Sequence, residues 1–354
     1  MINQDQLTEV WVQDISGKYN ADPILVEKVI RAFLLLEGLV KQNLDFVFKG
    51  GTALMLHFDS SKRLSIDIDI ILPDKKADLE NILTSLINDQ DFTRLELQER
   101  TTRSEIEKAH YKLYFKPLHK TGKYEEYVLL DILFEDIYYA NLIELPITSF
   151  FVPDDGEPIH VQVPTVEDLL GDKLTAFAPN TTGVPYYKGQ DRMNMEIIKQ
   201  LYDVGNLFDV AKDLQTVKDT FHKFAVAELS YRNTDGLNAE DVLEDIFQTS
   251  LSIATIGKSG NANIGELQQG IKRVRSYIHS EKYQLKKAIT HASKAAYLAT
   301  LLKHDADAIE RFDPSINMKD WIIEQPFNTR LNKLKKSDPE AFFYWYKMYE
   351  ISKS

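Results

Sequence analysis

Cysteine is absent from the 354 residues, which excludes disulfides, thiolate-bound zinc and cysteine nucleophiles. Long apolar runs are absent too. The longest candidate, residues 32–40, is interrupted by Glu37 and falls well short of the ~20 residues of a spanning helix. The opening MINQDQLTEV has neither the basic start nor the apolar stretch of a secretory signal. These absences lead to the expectation of a cytoplasmic protein with no membrane partner. Positive charge is scarce: 42 Lys and Arg stand against 54 Asp and Glu, a net charge of −12, which argues against indiscriminate nucleic-acid binding. The remainder, 44% hydrophobic with dispersed charge, describes a globular chain long enough for two domains.

The scarcity of positive charge is not uniform. Between Lys272 and Lys303 eight basic residues accompany one acid, a local excess of +7 that leaves −19 for the rest of the chain. Within this segment Lys282, Lys286 and Lys287 are candidate contacts to a polyanionic partner such as RNA. The bland alternative is a solvated helix face.

Along the chain, Asp22-Pro23 reads as a helix start, an Asp N-cap with Pro in the first turn, and apolar spacing continues the helix to about Gln42. Residues 46–48 read as a strand, 50–52 as a Gly-Gly-Thr turn, 53–58 as a short helix and 64–72 as a second strand. A helix over 77–87 follows, then strands over 94–100, 107–115, 127–134 and 159–163, with a hairpin at Thr121-Gly122-Lys123. From Thr165 onward the pattern is helical, apart from a Gly- and Pro-rich loop over 179–192. The fold class is therefore α/β: a mixed sheet with helices in an N-terminal domain (residues 1–210), followed by an all-helical C-terminal domain (residues 211–354) suited to acceptor binding.

The most informative stretch is FVFKGGTALMLHFDSSKRLSIDIDIIL, residues 46–72. Side chains alternate along a strand, so Ser65, Asp67 and Asp69 share one face and Ile66, Ile68 and Ile70 the other. Two carboxylates about 7 Å apart along a strand repel unless a cation lies between them. A glycine turn at a helix start offers bare backbone N–H groups to an anion, aided by the helix dipole. Together these are the chemistry of a nucleotide handled with Mg²⁺ (or Mn²⁺). Asp131 adds a third carboxylate: VLLDILFE is an apolar strand with one embedded acid, costly to bury without a cation or a donor. If the two strands are neighbours, Asp67, Asp69 and Asp131 converge as hard oxygen ligands, with substrate phosphates completing the shell. Asp131 is also placed to accept a proton from a hydroxyl nucleophile. Solvent-facing strand acids are the bland reading of each aspartate taken alone.

The region resembles the AbiE-type (AbiEii/AbiGii) nucleotidyltransferase toxins of bacterial abortive-infection and toxin–antitoxin systems, within the DNA polymerase beta-like nucleotidyltransferase superfamily. The matching residues are Lys49-Gly50-Gly51-Thr52-Ala53-Leu54, then Arg63-Leu64-Ser65-Ile66-Asp67-Ile68-Asp69, and Asp131. Downstream, residues 167–176 look like the family's helix with a phosphate-contacting lysine, which assigns that role to Lys173. Residues 199–203 are similar to its basic-Asp-x-x-Asp helix, but the first acid is Gln200 here, so only Asp203 carries over. An exposed ion pair of Asp203 with Lys199 is the ordinary alternative. The resemblance spans roughly residues 22–210. It implies a catalytic set of Asp67, Asp69, Asp131, Lys173 and Asp203, with the three aspartates binding metal. Nucleotide contacts would come from Lys49, Gly50, Gly51, Thr52, Arg63, Ser65 and Lys173. The implied reaction moves a nucleoside monophosphate from an NTP to a hydroxyl of RNA (a tRNA 3′ end) or protein, with a separately encoded antitoxin as partner. The alternatives are a metal-dependent glycosyltransferase using a nucleotide-sugar, and a non-catalytic nucleotide- or RNA-binding module.

Overall fold

The computed structural model describes every residue except 59–61, 74–77, 99–106, 120–121, 123, 233–235 and 354. It divides into two compact units: residues 1–165 with 276–282, and residues 166–275 with 283–354. The division expected near residue 210 falls between two helices of the second unit, whereas the compact units part at Thr165–Val166.

In the first unit, α1 (Glu9–Tyr19) and α2 (Pro23–Lys41) precede β1 (Val47–Lys49), α3 (Gly50–His57), β2 (Ile68–Ile71), α4 (Leu79–Asp89), β3 (Arg94–Leu97), β4 (Glu107–Phe115) and β5 (Glu126–Phe134). The strands form a mixed sheet of order β1-β2-β5-β4-β3. β2 and β5 run parallel and the other pairs antiparallel. A separate antiparallel pair, β6 (Leu142–Pro146) and β7 (His160–Pro164), completes the unit.

Asp22 caps α2 by accepting from the N–H groups of Ile24 and Leu25, with Pro23 opening the helix. α2 is buried nearly throughout, including Glu37, whose carboxylate accepts the Ile2 N–H at 2.8 Å and pairs with Lys41. Its apolar residues join Ile68, Ile70, Leu130 and Ile132 in one core, which leaves the opposite face of the central strands for polar groups.

Strand β2 is shorter than the expected 64–72. Lys49 pairs with Asp69, and the next residue, Gly50, turns into α3. Beyond that point residues 64–67 have no partner on β1. Leu64 N–H instead donates to the Tyr277 carbonyl at 2.7 Å, and Ser280 Oγ donates to the Lys62 carbonyl. Residues 276–282, part of the stretch beyond Thr165 expected to be helical, thus return to the first unit as a strap. The strands expected at 107–115 and 127–134 are present. The end of the one expected at 94–100, and Thr121 and Lys123 of the expected hairpin, lie outside the described residues.

The second unit is helical: α5 (Val166–Ala176), α6 (Asn194–Val210), α7 (Leu214–Tyr231), α8 (Ala239–Ala254), α9 (Ile264–Arg273), α10 (Leu285–Lys303), the short α11 (Leu334–Ser337) and α12 (Pro339–Ile351). The 179–192 loop carries a minimal hairpin, β8 (Tyr187–Lys188) with β9 (Asp191–Arg192). α10 packs against α6, α8 and α12, and α5 against α6 and α7. Lys294 is buried on α10 and pairs with Asp209 of α6 and Glu340 of α12 at 2.7 and 2.8 Å. Among the described residues no helix is long and apolar enough to cross a membrane.

Candidate active site

The Gly-Gly-Thr segment is not a turn ahead of the helix but its first turn. α3 begins at Gly50, with Lys49 as an N-cap whose side chain makes no capping hydrogen bond. The N–H groups of a helix's first turn have no intrahelical acceptor, so Gly50, Gly51 and Thr52 bring bare donors to one place. The glycines are sterically required. Gly50 has φ +81°, and a Cβ there would lie inside the Asp69 carboxylate. A Cβ on Gly51 would sit 2.6 Å from Arg63 Nη2 and 2.7 Å from Ser65 Oγ. Arg63 and Ser65, expected as phosphate contacts, are thus packed over the start of α3, and Asp69 closes over Gly50. Arg63 is buried, which confines its guanidinium to this spot.

The side chain of Thr52 has a structural partner. It is fully buried, and its Oγ1 donates to the Asp67 carbonyl at 2.6 Å. It pins the aspartate segment to α3, leaving its backbone N–H for an anion.

Register gathers the charged residues. Lys49 pairs with Asp69 across β1–β2, Asp69 with Asp131 across β2–β5, and Asp131 with His110 across β5–β4. Directly paired residues project from the same side of a sheet, so one row, Lys49–Asp69–Asp131–His110, crosses four strands on the face opposite the Ile68, Ile70, Leu130 and Ile132 core. His110 Nδ1 lies 2.6 Å from Asp131 Oδ1. Lys49 Nζ sits 5.6 Å from the centre of the Tyr139 ring, a cation–π contact. Asp67 precedes the ladder by one residue. His110 escaped the sequence reading, because it faces Asp131 only once the β4–β5 register is known.

Among the described residues, no group of three or more His, Asp or Glu side chains is arranged to hold a metal ion. The expected trio Asp67, Asp69 and Asp131 is therefore not a ready-made cage. What is assembled is a pair, Asp69 and Asp131, facing each other on strands about 4.8 Å apart. Like charges directly opposite are unfavourable. Mg²⁺ ordinarily takes one or two carboxylates and fills its shell with water and substrate phosphates. This donor set beside the start of α3 fits such an ion.

Lys173 and Asp203 belong to the second unit and meet there. Lys173 Nζ on α5 lies 3.2 Å from Asp203 Oδ2 and 3.0 Å from Gln200 Oε1, both on α6. The pair is buried, with side-chain exposures of 9% and 3%. Asp203 is not exposed: its carboxylate is buried against Lys173, while Lys199 pairs with Glu196 at 3.2 Å. Gln200, which stands where an acid was expected, supplies the neutral acceptor for the same ammonium.

The basic segment is not one continuous face. Lys294 is buried in its ion pairs, Lys303 pairs with Glu244 at 3.4 Å, and Arg275 Nε donates to the Tyr283 carbonyl. Of the three candidate acceptor contacts, Lys282 is exposed on the strap, Lys286 is exposed on the first turn of α10, and Lys287 is half-buried beside it.

With this geometry in place, comparison with known proteins is direct. The family model for the nucleotidyl transferase AbiEii toxin, a type IV toxin–antitoxin system, matches residues 34–273. The chain belongs to this family and is a nucleotidyltransferase. The nucleotide-sugar and binding-only alternatives give way to that membership, which also implies an NTP substrate and a cognate antitoxin. Among curated proteins no match is found. Similar solved structures include MenT4, a nucleotidyltransferase toxin from Mycobacterium tuberculosis H37Rv (16% identity, 83% of this chain and 90% of that one, TM-score 0.45). They also include JHP933 from Helicobacter pylori (15% identity, 79% and 90%, TM-score 0.42). A third is an antigenic nucleotidyltransferase-like protein from Paracoccidioides brasiliensis (18% identity, 59% and 89%, TM-score 0.35).

Proposed function

We propose that this nucleotidyltransferase moves a nucleoside monophosphate from an NTP to a hydroxyl of RNA, a tRNA 3′ end being the favoured acceptor, and that it does so with a divalent cation. The supporting observation is the juxtaposition of the bare N–H groups of α3 with the facing carboxylates Asp69 and Asp131. The amides of Gly50, Gly51 and Thr52, with Lys49, Arg63 and Ser65, hold the triphosphate and align its α-phosphorus. The acceptor oxygen forms a bond to that phosphorus, and the bond to the bridging oxygen breaks. Pyrophosphate departs with the electron pair, and the acceptor proton passes to the Asp131 carboxylate. Asp67, Asp69 and Asp131 would hold Mg²⁺ or Mn²⁺, which supplies charge neutralisation for the triphosphate and the leaving group. The family resemblance assigns a phosphate-contacting role to Lys173, whose ammonium Asp203 orients within the second unit.

The RNA acceptor rests on Lys282, Lys286 and Lys287, basic residues in a chain that otherwise repels polyanions. The test is incubation with each of four α-labelled NTPs, Mg²⁺ and total bacterial RNA or total protein. Label in RNA from one preferred NTP is the expected result. Label in protein alone would replace the RNA acceptor with a protein hydroxyl.

A further inference from the structure

The row across the sheet contains one residue without a role in this scheme, His110. On β4 the side chains of Ala109, Tyr111, Leu113 and Phe115 alternate toward the core, and His110, Lys112 and Tyr114 take the other face. Of these, His110 is the one whose register partner on β5 is an acid, Asp131, while Lys112 and Tyr114 face Leu129 and Tyr127 there. The imidazole is only 12% exposed and the Asp131 side chain 30%, and their 2.6 Å contact joins Nδ1 to a single carboxylate oxygen, Oδ1. A carboxylate is an acceptor only, so the hydrogen in this bond belongs to His110. Both the neutral Nδ1–H tautomer and the imidazolium provide it.

We infer that His110 is a positioning residue for Asp131: its Nδ1–H donates to Oδ1, fixes the rotation of the carboxylate, and so presents Oδ2 to the metal and the acceptor hydroxyl. This rests on the nucleotidyl-transfer reading above and deepens it by adding a fourth strand to the site. The physical need is specific. Asp131 faces Asp69 across one strand spacing, and a free carboxylate rotates away from a like charge. A donor on the far side, from the neighbouring strand, opposes that rotation without placing a cation between the two acids. Carboxylates that bind metal are ordinarily held by such a hydrogen bond, and its loss typically costs 10–100-fold in metal affinity or activity.

Three variants separate the outcomes: His110→Leu, which removes the donor; His110→Asn, whose amide can donate from nearly the position of Nδ1; and Asp131→Asn as reference. Each is examined for Mn²⁺ affinity without nucleotide, by electron paramagnetic resonance of the free ion, and for kcat and KM with the preferred NTP. For His110→Leu the expectation is a roughly 10–100-fold weaker Mn²⁺ affinity or lower kcat, with KM for NTP little changed. His110→Asn should recover most of that loss at a similar melting temperature. In the wild type, ring ¹⁵N shifts should report a protonated Nδ1. If His110→Leu matches the wild type in Mn²⁺ affinity and kcat while Asp131→Asn is inactive, the positioning role is wrong and the site assignment stands. Equal impairment of His110→Leu and His110→Asn also overturns it, because the histidine would then matter for shape alone. An active Asp131→Asn enzyme would instead overturn the underlying assignment of Asp131.

Discussion

Gly50 is where two independent constraints meet on one atom. Its φ of +81° lies in the left-handed region, and the space its Cβ would need is filled by the Asp69 carboxylate. For a residue with a Cβ the backbone constraint alone costs about 1–2 kcal/mol. Gly50→Ala should therefore lower stability by at least that amount in urea denaturation. It should also abolish transfer, because Asp69 must move from its place beside β5 to admit the methyl group. A variant of wild-type stability and activity would show that the carboxylate is not held against the turn. That Gly50 stands at a helix start and that Asp69 and Asp131 are acids on otherwise apolar strands was legible in the sequence, because those features are local. His110 was not legible. Its partner is chosen by the β4–β5 register, which the sequence around His110 does not specify alone. The acceptor of the buried Thr52 hydroxyl was not legible for a related reason, since it is a carbonyl fifteen residues away.

Between elements, the pairing of α5 with α6 through Lys173 and Asp203 sets a condition on any test of Lys173. Both side chains are buried, and removing one partner of such a pair leaves an uncompensated charge, typically costing 3–5 kcal/mol. Lys173→Ala should thus destabilise the protein by about that much as well as impair transfer. The double variant Lys173→Met, Asp203→Leu should recover most of the stability and none of the activity. Additive losses in the double variant would mean that the two residues are stabilised separately. Helices α5 and α6 could be read from periodicity, but the pairing of Asp203 with Lys173 could not, because the two meet only once α5 packs on α6. The start of β2 shows the same limit: alternation continued back to residue 64, but the ladder begins at Ile68, and Leu64 N–H donates instead to the Tyr277 carbonyl.

At the scale of the whole molecule, stability should depend on pH through buried histidines. His291 is fully buried beside the Tyr202 and Tyr283 rings and over Gly205. Burial first, then the nearby charges of Lys294 and Lys287, holds its pKa well below 6.5. His279, among the rings of Tyr19, Phe150 and Phe151, is lowered by burial too. A lowered histidine pKa means that the unfolded chain binds a proton the folded chain refuses. Stability is therefore unaffected at pH 7.5 and falls as pH drops below about 6.5, by roughly 1.4 kcal/mol per pH unit for His291 until its folded pKa is reached. Urea denaturation at pH 7.5 and 5.5 should show this loss, reduced in His291→Phe. A loss unchanged by that substitution would assign the effect elsewhere. The division of the chain was legible as mixed α/β followed by helices. The return of residues 276–282 to the first unit was not, because helical spacing over 264–279 continues past the point where α9 ends at Arg273.

The central claim is that the acids on β2 and β5 carry nucleotidyl transfer. The most direct measurement is pyrophosphate release by Asp69→Asn, taken beside its melting temperature. Replacing one of two facing carboxylates removes a repulsion as well as a ligand, so the account predicts loss of release with a melting temperature equal to or above that of the wild type. Full release by Asp69→Asn would contradict it.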